Sequence, residues 1–161
     1  MQAIAKFEKV SLNQYQKDQE NAQQYYNDIK LPKRATIGSA GYDFYMPYDL
    51  VLEPGQTAKI PTGIRASMQN GWVLCLFPRS GLGFKYRLQL NNTVGIIDAD
   101  YYGSDNEGHI FAKITNDSNE GKVLELKKGE GFMQGIFLPF GITEDDDVSE
   151  VRNGGFGSTT K

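Results

Sequence analysis

From residue 40 to residue 141 the chain is a succession of short apolar runs, each closed by turn residues: GYDFYMPY, DLVLEPGQTAKI, GIRASM, GWVLCLF, YRLQL, TVGIID, HIFAKIT, KVLEL and FMQGIFLPF. Runs this short, rich in aromatic and β-branched residues and bounded by Gly, Pro, Asn and Asp, form strands rather than helices. Pro54-Gly55 predicts a type II turn, because proline presets the first central residue and glycine accepts the positive φ of the second. So many strands in one domain imply an all-β fold, a jelly-roll-like β-barrel or sandwich over residues 32–141.

The two ends depart from that pattern. AIAKFEKV alternates like a strand, and Ser11 with Gln14 stands at capping-box spacing, which predicts a helix from Leu12 to Ile29 within a helical addition over 11–30. Its apolar face is thin (Leu12, Tyr15, Ala22, Tyr26, Ile29), so the helix is expected on the surface, ended by Leu31 and Pro32. ITEDDDVSE (Ile142 to Glu150) is an acidic linker, and RNGGFGSTTK (Arg152 to Lys161) is glycine-rich. Residues 142–161 therefore read as a mobile tail on a single domain, 1–161.

A net charge of −3 argues against long nucleic acid as a partner, since no strong positive field is available to neutralise a phosphate backbone. A small anionic ligand stays open. The one cysteine, Cys75, allows no internal disulfide and fits a reducing compartment, with the cytoplasm as the simplest reading. No segment has the order of a signal peptide or the length of a membrane span, so a soluble chain without membrane contact is expected.

With one histidine, His109, and one cysteine, a Cys/His zinc site is out of reach, and Cys-His nucleophilic catalysis has a single available pair. Cys75 lies in an apolar run and reads as a buried, inert thiol; His109, beside a glycine at a strand start, reads as a surface or hairpin residue. No GxxxxGK[ST] loop occurs. PRSGLG (Pro78 to Gly83) offers a guanidinium, a hydroxyl and backbone N–H groups suited to phosphate oxygens, and taken alone is equally a turn. In GIIDADYYG, Asp98 and Asp100 stand two apart on an expected strand and are not expected to form an acid/base pair. A turn at Tyr102-Gly103 would bring Asp98 and Tyr101 to one pocket.

Taken in order, AGYDF, PRSGLG, NNTVGIIDADYYG, GEGFMQ and RNGGFGST resemble the five ordered motifs of the trimeric dUTP pyrophosphatase (dUTPase) family, from about residue 32 to the end of the chain. The resemblance implies a jelly-roll subunit, a homotrimer with active sites shared between subunits, and Mg²⁺-dependent hydrolysis of dUTP to dUMP and pyrophosphate. That activity limits uracil incorporation into DNA and supplies dUMP for dTMP synthesis. Position by position, Asp98 matches the aspartate that activates the attacking water, and Tyr101 the tyrosine that packs on the deoxyribose and excludes a 2′-hydroxyl. Arg79, Ser80 and Gly81 match the phosphate-binding motif, with Gln134 as a further phosphate-side contact. Mg²⁺ in the family is held mainly by phosphates and waters, so no direct protein ligand is expected; Asp43 matches a motif aspartate that organises the site through a metal-bound water or a basic partner. Uracil is selected by backbone groups of a β-hairpin, here Asn92 through Asp98 to about Ile110, on which Asn92, Gly95 and Ile97 lie. In the tail, Phe156 matches the aromatic that stacks on uracil, Arg152 is aimed at the γ-phosphate, and Gly157, Ser158 and Thr159 add contacts.

The chain differs from the family pattern in places: one residue fewer between Arg152 and Phe156, Thr160 where glycine is common, about three extra residues in SDNEGH, and the helical addition. Such additions are similar to those of phage-encoded and bacterial members. Two other readings stay open. One is the related dCTP deaminase, whose glutamate motif has no match here. The other is a nucleotide-sensing protein that contacts a protein partner through 104–108 or 11–30; an intact Asp98 favours the enzyme.

Overall fold

A computed structural model describes residues 2–152. In chain order the elements are β1 (Ala5–Lys9), α1 (Leu12–Asp18), α2 (Ala22–Tyr25), β2 (Lys33–Arg34), β3 (Tyr42–Tyr45), β4 (Leu50–Leu52), β5 (Thr57–Pro61), β6 (Ile64–Met68), β7 (Trp72–Pro78), α3 (Ser80–Tyr86), β8 (Leu88–Leu90), β9 (Gly95–Ile97), β10 (Phe111–Asn116), β11 (Leu124–Leu126) and β12 (Gly131–Pro139), with 3₁₀ turns at Tyr26–Asp28 and Ala99–Gly103. The strands form a jelly-roll-like set of antiparallel sheets, ordered β2-β3-β12-β7-β9, β5-β10-β8, β1-β6 and β4-β11. Each apolar run of the sequence supplies a strand. Among the described residues no helix is long and apolar enough to cross a membrane.

Period-two alternation sets which side of a strand faces the core. β8 and β11 each bury their first and third residues, Leu88 and Leu90, Leu124 and Leu126. β12 breaks the rule: Phe132 and Met133 are adjacent and both fully buried, and the register against β3 shifts between Gly131 and Met133. A bulge inserts one residue there, so two neighbours turn inward. The Pro54-Gly55 turn forms as expected, with Gly55 at φ 83° and the Gln56 N–H donating to the Glu53 carbonyl at 3.0 Å. It does not close a hairpin, because β4 pairs with β11 while β5 pairs with β10.

The N-terminal region corrects the expectation of one surface helix over Leu12–Ile29. Ser11 caps α1 as predicted, its side chain accepting from the Gln14 N–H, but the helix stops at Gln19, which is extended (φ −142°, ψ 117°). The Gln19 side-chain carbonyl takes the Asn21 N–H at 3.3 Å, competing with helical pairing at the break. Both halves reach the core: Tyr15 before the break and Ala22 after it are 0 % and 1 % exposed, in the same cluster as Ile60, Ile64, Ile110 and Ile114. A thin apolar face is enough for burial when two of its residues point into a jelly-roll end. The capping box is only half local: the Ser11 N–H donates to Glu107 at 2.7 Å instead of to the Gln14 side chain, and the Ser11 hydroxyl, while accepting from the Gln14 N–H, donates to Glu107 at 2.6 Å. Those bonds hold the Glu107 carboxyl below its usual range. Two of the departures from the family pattern, 11–30 and SDNEGH, are therefore packed on each other.

Candidate functional site

The C-terminal end of β7 carries the candidate phosphate cradle. PRSGLG is neither a turn nor an open loop: Arg79 is extended (φ −71°, ψ 138°) and Ser80 starts α3. Gly81 and Gly83 disfavour a helix interior, which is why local propensity hid this one. The first backbone donors of the helix, at Ser80 and Gly81, precede its own hydrogen-bond ladder. Across the sheet, Gln134 on β12 lies opposite both Asp43 on β3 and Phe77 on β7. The Arg79 side chain meets Asp43 Oδ1 at 3.2 Å and donates to the Gly131 carbonyl at 3.2 Å. Asp43 therefore has a basic partner, and Arg79, Ser80, Gly81 and Lys85 share one cavity of about 520 Å³ with Glu125 and Glu130 on its rim.

The acid end is built differently from the strand expected for Asp98 and Asp100. β9 stops at Ile97, and Asp98 opens a 3₁₀ turn in which the Tyr101 N–H bonds back to the Asp98 carbonyl at 3.2 Å. Kept apart in the sequence reading, the two carboxylates meet one guanidinium. Arg152 pairs with Asp98 through Nη2 and with Asp100 through Nε at 2.8 Å. Arg152 thus sits on the two aspartates and not at the phosphate cradle. The turn also links Asp98 to Tyr101 through the backbone. Tyr101 is 7 % exposed; its hydroxyl donates to the His109 carbonyl at 2.7 Å and accepts from Asn106 Nδ2 at 2.8 Å. Burial pushes its phenol above the usual 10.0, so it remains a donor.

The segment expected as a uracil hairpin is not a two-stranded ribbon. β9 pairs with β7, Gly95 opposite Leu76 and Ile97 opposite Leu74, and the return after the 3₁₀ turn runs into β10 of another sheet. A Cβ at Gly95 would stand 3.0 Å from Leu76 Cβ, so glycine is what allows β9 to lie this close. Asn92 lies in the turn before β9, beside an open cavity of about 410 Å³ shared with Asn91, Lys59, Phe111 and Lys113. Thr93 follows it at φ 67°, a costly conformation for a β-branched residue, on the order of 1–3 kcal/mol. Such strain in a motif is invisible to residue-type reading. Phe156, Gly157, Ser158 and Thr159 lie outside the described residues.

One chain does not bring its two halves together. Ile97, just before Asp98, is opposite Leu74, five residues short of Arg79, which is about 16 Å along an extended strand. The Arg79 guanidinium is held from β3 and β12, on the far side of β7 from β9, adding about 10 Å across the sheet. The candidate base and the candidate cradle of one subunit thus stand towards opposite ends of β7.

His109 corrects the expectation of a surface residue: it is 0 % exposed. Its Nε2 accepts the Gly63 N–H at 2.8 Å, so the proton must sit on Nδ1, 2.7 Å from Asp18 Oδ2. Burial lowers its proton affinity below the usual 6.5, opposed by Asp18 and Glu107 and aided by Lys59. Below pH 6.5 the unfolded chain then takes up a proton that the folded chain refuses, and stability falls with pH. The carboxyls of Glu8, Asp28, Asp49 and Glu107 are held low, so their contribution is lost only below about 4.5. Thermal unfolding is expected to be level from pH 8 to 6.5 and to drop towards pH 5, at a slope no steeper than about 1.4 kcal/mol per pH unit for one proton. A flat profile across that window would mean that His109 takes up its proton as readily in the folded chain as in the unfolded one.

Jelly-roll sheets, a guanidinium and hydroxyl cradle at one end of β7 and an acid–tyrosine turn at the other place the chain among dUTPase-like β proteins. The dUTPase family model matches residues 27–160, and the chain belongs to that family. The deoxyuridine 5'-triphosphate nucleotidohydrolase of Lactococcus lactis subsp. lactis (strain IL1403) is 46 % identical over 134 residues, 81 % of this chain and 88 % of that one. That of Tolumonas auensis is 39 % identical over 141 residues, 83 % of this chain and 89 % of the other. The crystal structure of dUTPase from Streptococcus mutans is 38 % identical with a TM-score of 0.68, covering 86 % of this chain and 98 % of that chain. A mutant dUTPase from phage phi11 of S. aureus, whose structure describes the coordination of a structural Mg(II) ion, shares the fold at 22 % identity and a TM-score of 0.67, covering 92 % of this chain and 98 % of that chain.

Proposed function

We propose that this chain hydrolyses dUTP to dUMP and pyrophosphate, as a cytoplasmic homotrimer whose active sites combine residues of more than one subunit. The observation that carries the reading is the 3₁₀ turn that leaves the Asp98 carboxylate open at its start and has the Tyr101 hydroxyl tied inward three residues on. A ring fixed in that way makes a flat, unyielding wall for a deoxyribose and leaves no room for a 2′-hydroxyl. Asp98, 46 % exposed at its side chain, is open to a water.

Asp98 takes a proton from that water as its oxygen attacks phosphorus, and the bond to the pyrophosphate oxygen breaks. Arg79, the Ser80 hydroxyl and the α3 amides of a neighbouring subunit hold the phosphates and spread their developing charge, with Gln134 beside them. The wide separation of Asp98 from Arg79 within one chain supports completion across subunits. Arg152, resting on Asp98 and Asp100, is freed for the phosphates when substrate competes for it, and Phe156 stacks on the base while Gly157 and Ser158 add contacts. Asn92, Gly95 and Ile97 border the uracil.

Mg²⁺ bound to the triphosphate would offset its charge. The donor set fits a metal carried in by substrate: Asp43 gives Oδ1 to Arg79 at the edge of the cradle, from where the carboxylate would accept from a metal-bound water. Among the described residues there is no group of three or more His, Cys, Asp or Glu placed to hold an ion.

Pyrophosphate release from dUTP, dCTP, dTTP and UTP, measured side by side with Mg²⁺ and with chelator, tests the reading. Fast release from dUTP alone, lost with chelator, is expected. Equal release from UTP would remove the sugar wall from the account, and no release from dUTP by a folded trimer would remove the enzyme.

A further inference from the structure

Tyr101 has to be rigid to discriminate, because a wall excludes a hydroxyl only as far as the wall refuses to move. Its rigidity comes from groups outside the five motifs. Asn106, in the SDNEGH insertion, donates to the Tyr101 hydroxyl at 2.8 Å, and its own side-chain carbonyl is anchored by the Gly108 N–H at 3.1 Å. The carbonyl that receives the Tyr101 proton belongs to His109, and the His109 ring is gripped on both nitrogens, by Gly63 N–H and by Asp18. Asp18 is itself placed at the end of α1 and takes a second hydrogen bond from Gln14 Nε2 at 2.9 Å. Tyr15, fully buried, sets its ring edge-on to the His109 ring at 5.9 Å, and Phe111 closes the other side at 4.4 Å. Ser11 and Glu107 tie the helix to the insertion a turn away.

We infer that Asp18, His109 and Asn106 form a positioning network for Tyr101, so that the N-terminal helical segment and the SDNEGH insertion together set the selection of deoxyribose over ribose. The inference rests on the proposed role of Tyr101 at the sugar. It assigns a task to both additions, and to the chain's one histidine, which takes no part in the chemistry. Asp18 acts through the His109 ring on the carbonyl of the same residue. Asn106 acts directly on the hydroxyl.

The test measures affinities of non-hydrolysable imido analogues of dUTP and UTP, so it does not depend on turnover, together with kcat/KM for dUTP and UTP. The wild-type trimer must first prefer the deoxy analogue; if it does not, the role of Tyr101 falls and the network falls with it. If it binds selectively without turnover, the enzyme reading alone fails. Asn106→Ala and Asp18→Ala are then expected to lower the deoxy-over-ribo preference roughly tenfold, the size of one lost hydrogen bond, mainly by admitting the ribo analogue. Asp18→Asn, whose amide oxygen still accepts from Nδ1, is expected to restore it. In a Tyr101→Phe background, with no hydroxyl to hold, Asp18→Ala and Asn106→Ala should add little, since coupled residues are not additive. Folded Asp18→Ala and Asn106→Ala proteins with lower Tm but unchanged preference would overturn the proposal, as would equal effects in the Tyr101→Phe background.

Discussion

Asp98→Asn is expected to bind dUTP at close to normal affinity and to release pyrophosphate about 10²–10⁴-fold more slowly, the range lost with a general base. The substitution keeps the shape of the side chain and removes only its capacity to take a proton from water. Fold stability should hardly change, because the Asp98 carboxylate is 46 % exposed and its pair with Arg152 lies at the surface of the acid turn, where such pairs contribute about 0–1 kcal/mol. Arg152 also retains Asp100 as a partner. Affinity by calorimetry and single-turnover release by rapid quench separate the two quantities. Normal turnover in the variant would show that the proton goes elsewhere, and joint loss of binding and turnover would show that Asp98 holds substrate rather than activating water.

Trimers assembled from an equal mixture of Asp98→Asn and Arg79→Ala chains should regain activity that neither variant shows alone. The reason is the layout of β7: Asp98 lies past the pairing of Ile97 with Leu74, whereas Arg79 projects from the other end towards β12 and β3. If each site draws Arg79 from one subunit and Asp98 from another, random mixing leaves about one site in four with both intact residues, and so about a quarter of wild-type activity. A site built within one subunit has no intact copy in any mixture, and activity would stay at the level of the variants. Mixing the two chains unfolded and refolding them together, followed by sizing to collect trimers, gives a direct reading.

Legibility in the sequence varied with how local each feature was. The strands were visible because alternation and turn residues act over a few positions, and the Glu53–Gln56 turn because proline and glycine dictate it alone. The motifs were visible because guanidinium, hydroxyl and carboxylate have few substitutes for phosphate chemistry. α3 was hidden by Gly81 and Gly83, whose low helix propensity is overridden once Arg79 is anchored by Asp43. The break at Gln19 and the burial of Tyr15 were hidden because a thin apolar face looks the same whether it meets solvent or a sheet end. His109 misled most, since nothing beside it announces Asp18, 91 positions away.

By itself, then, the sequence determined the β class, the run of strands, the chemical groups available and the order in which they occur, because each depends on one residue or its near neighbours. Only the tertiary structure decided which of those groups meet: Asp43 with Arg79, Asp98 and Asp100 on Arg152, Asp18 with His109 behind Tyr101, and the two halves of the candidate site at opposite ends of β7. Strand pairing and burial are won by the whole core at once, through contacts distant in sequence, and that sum is not written at any single position.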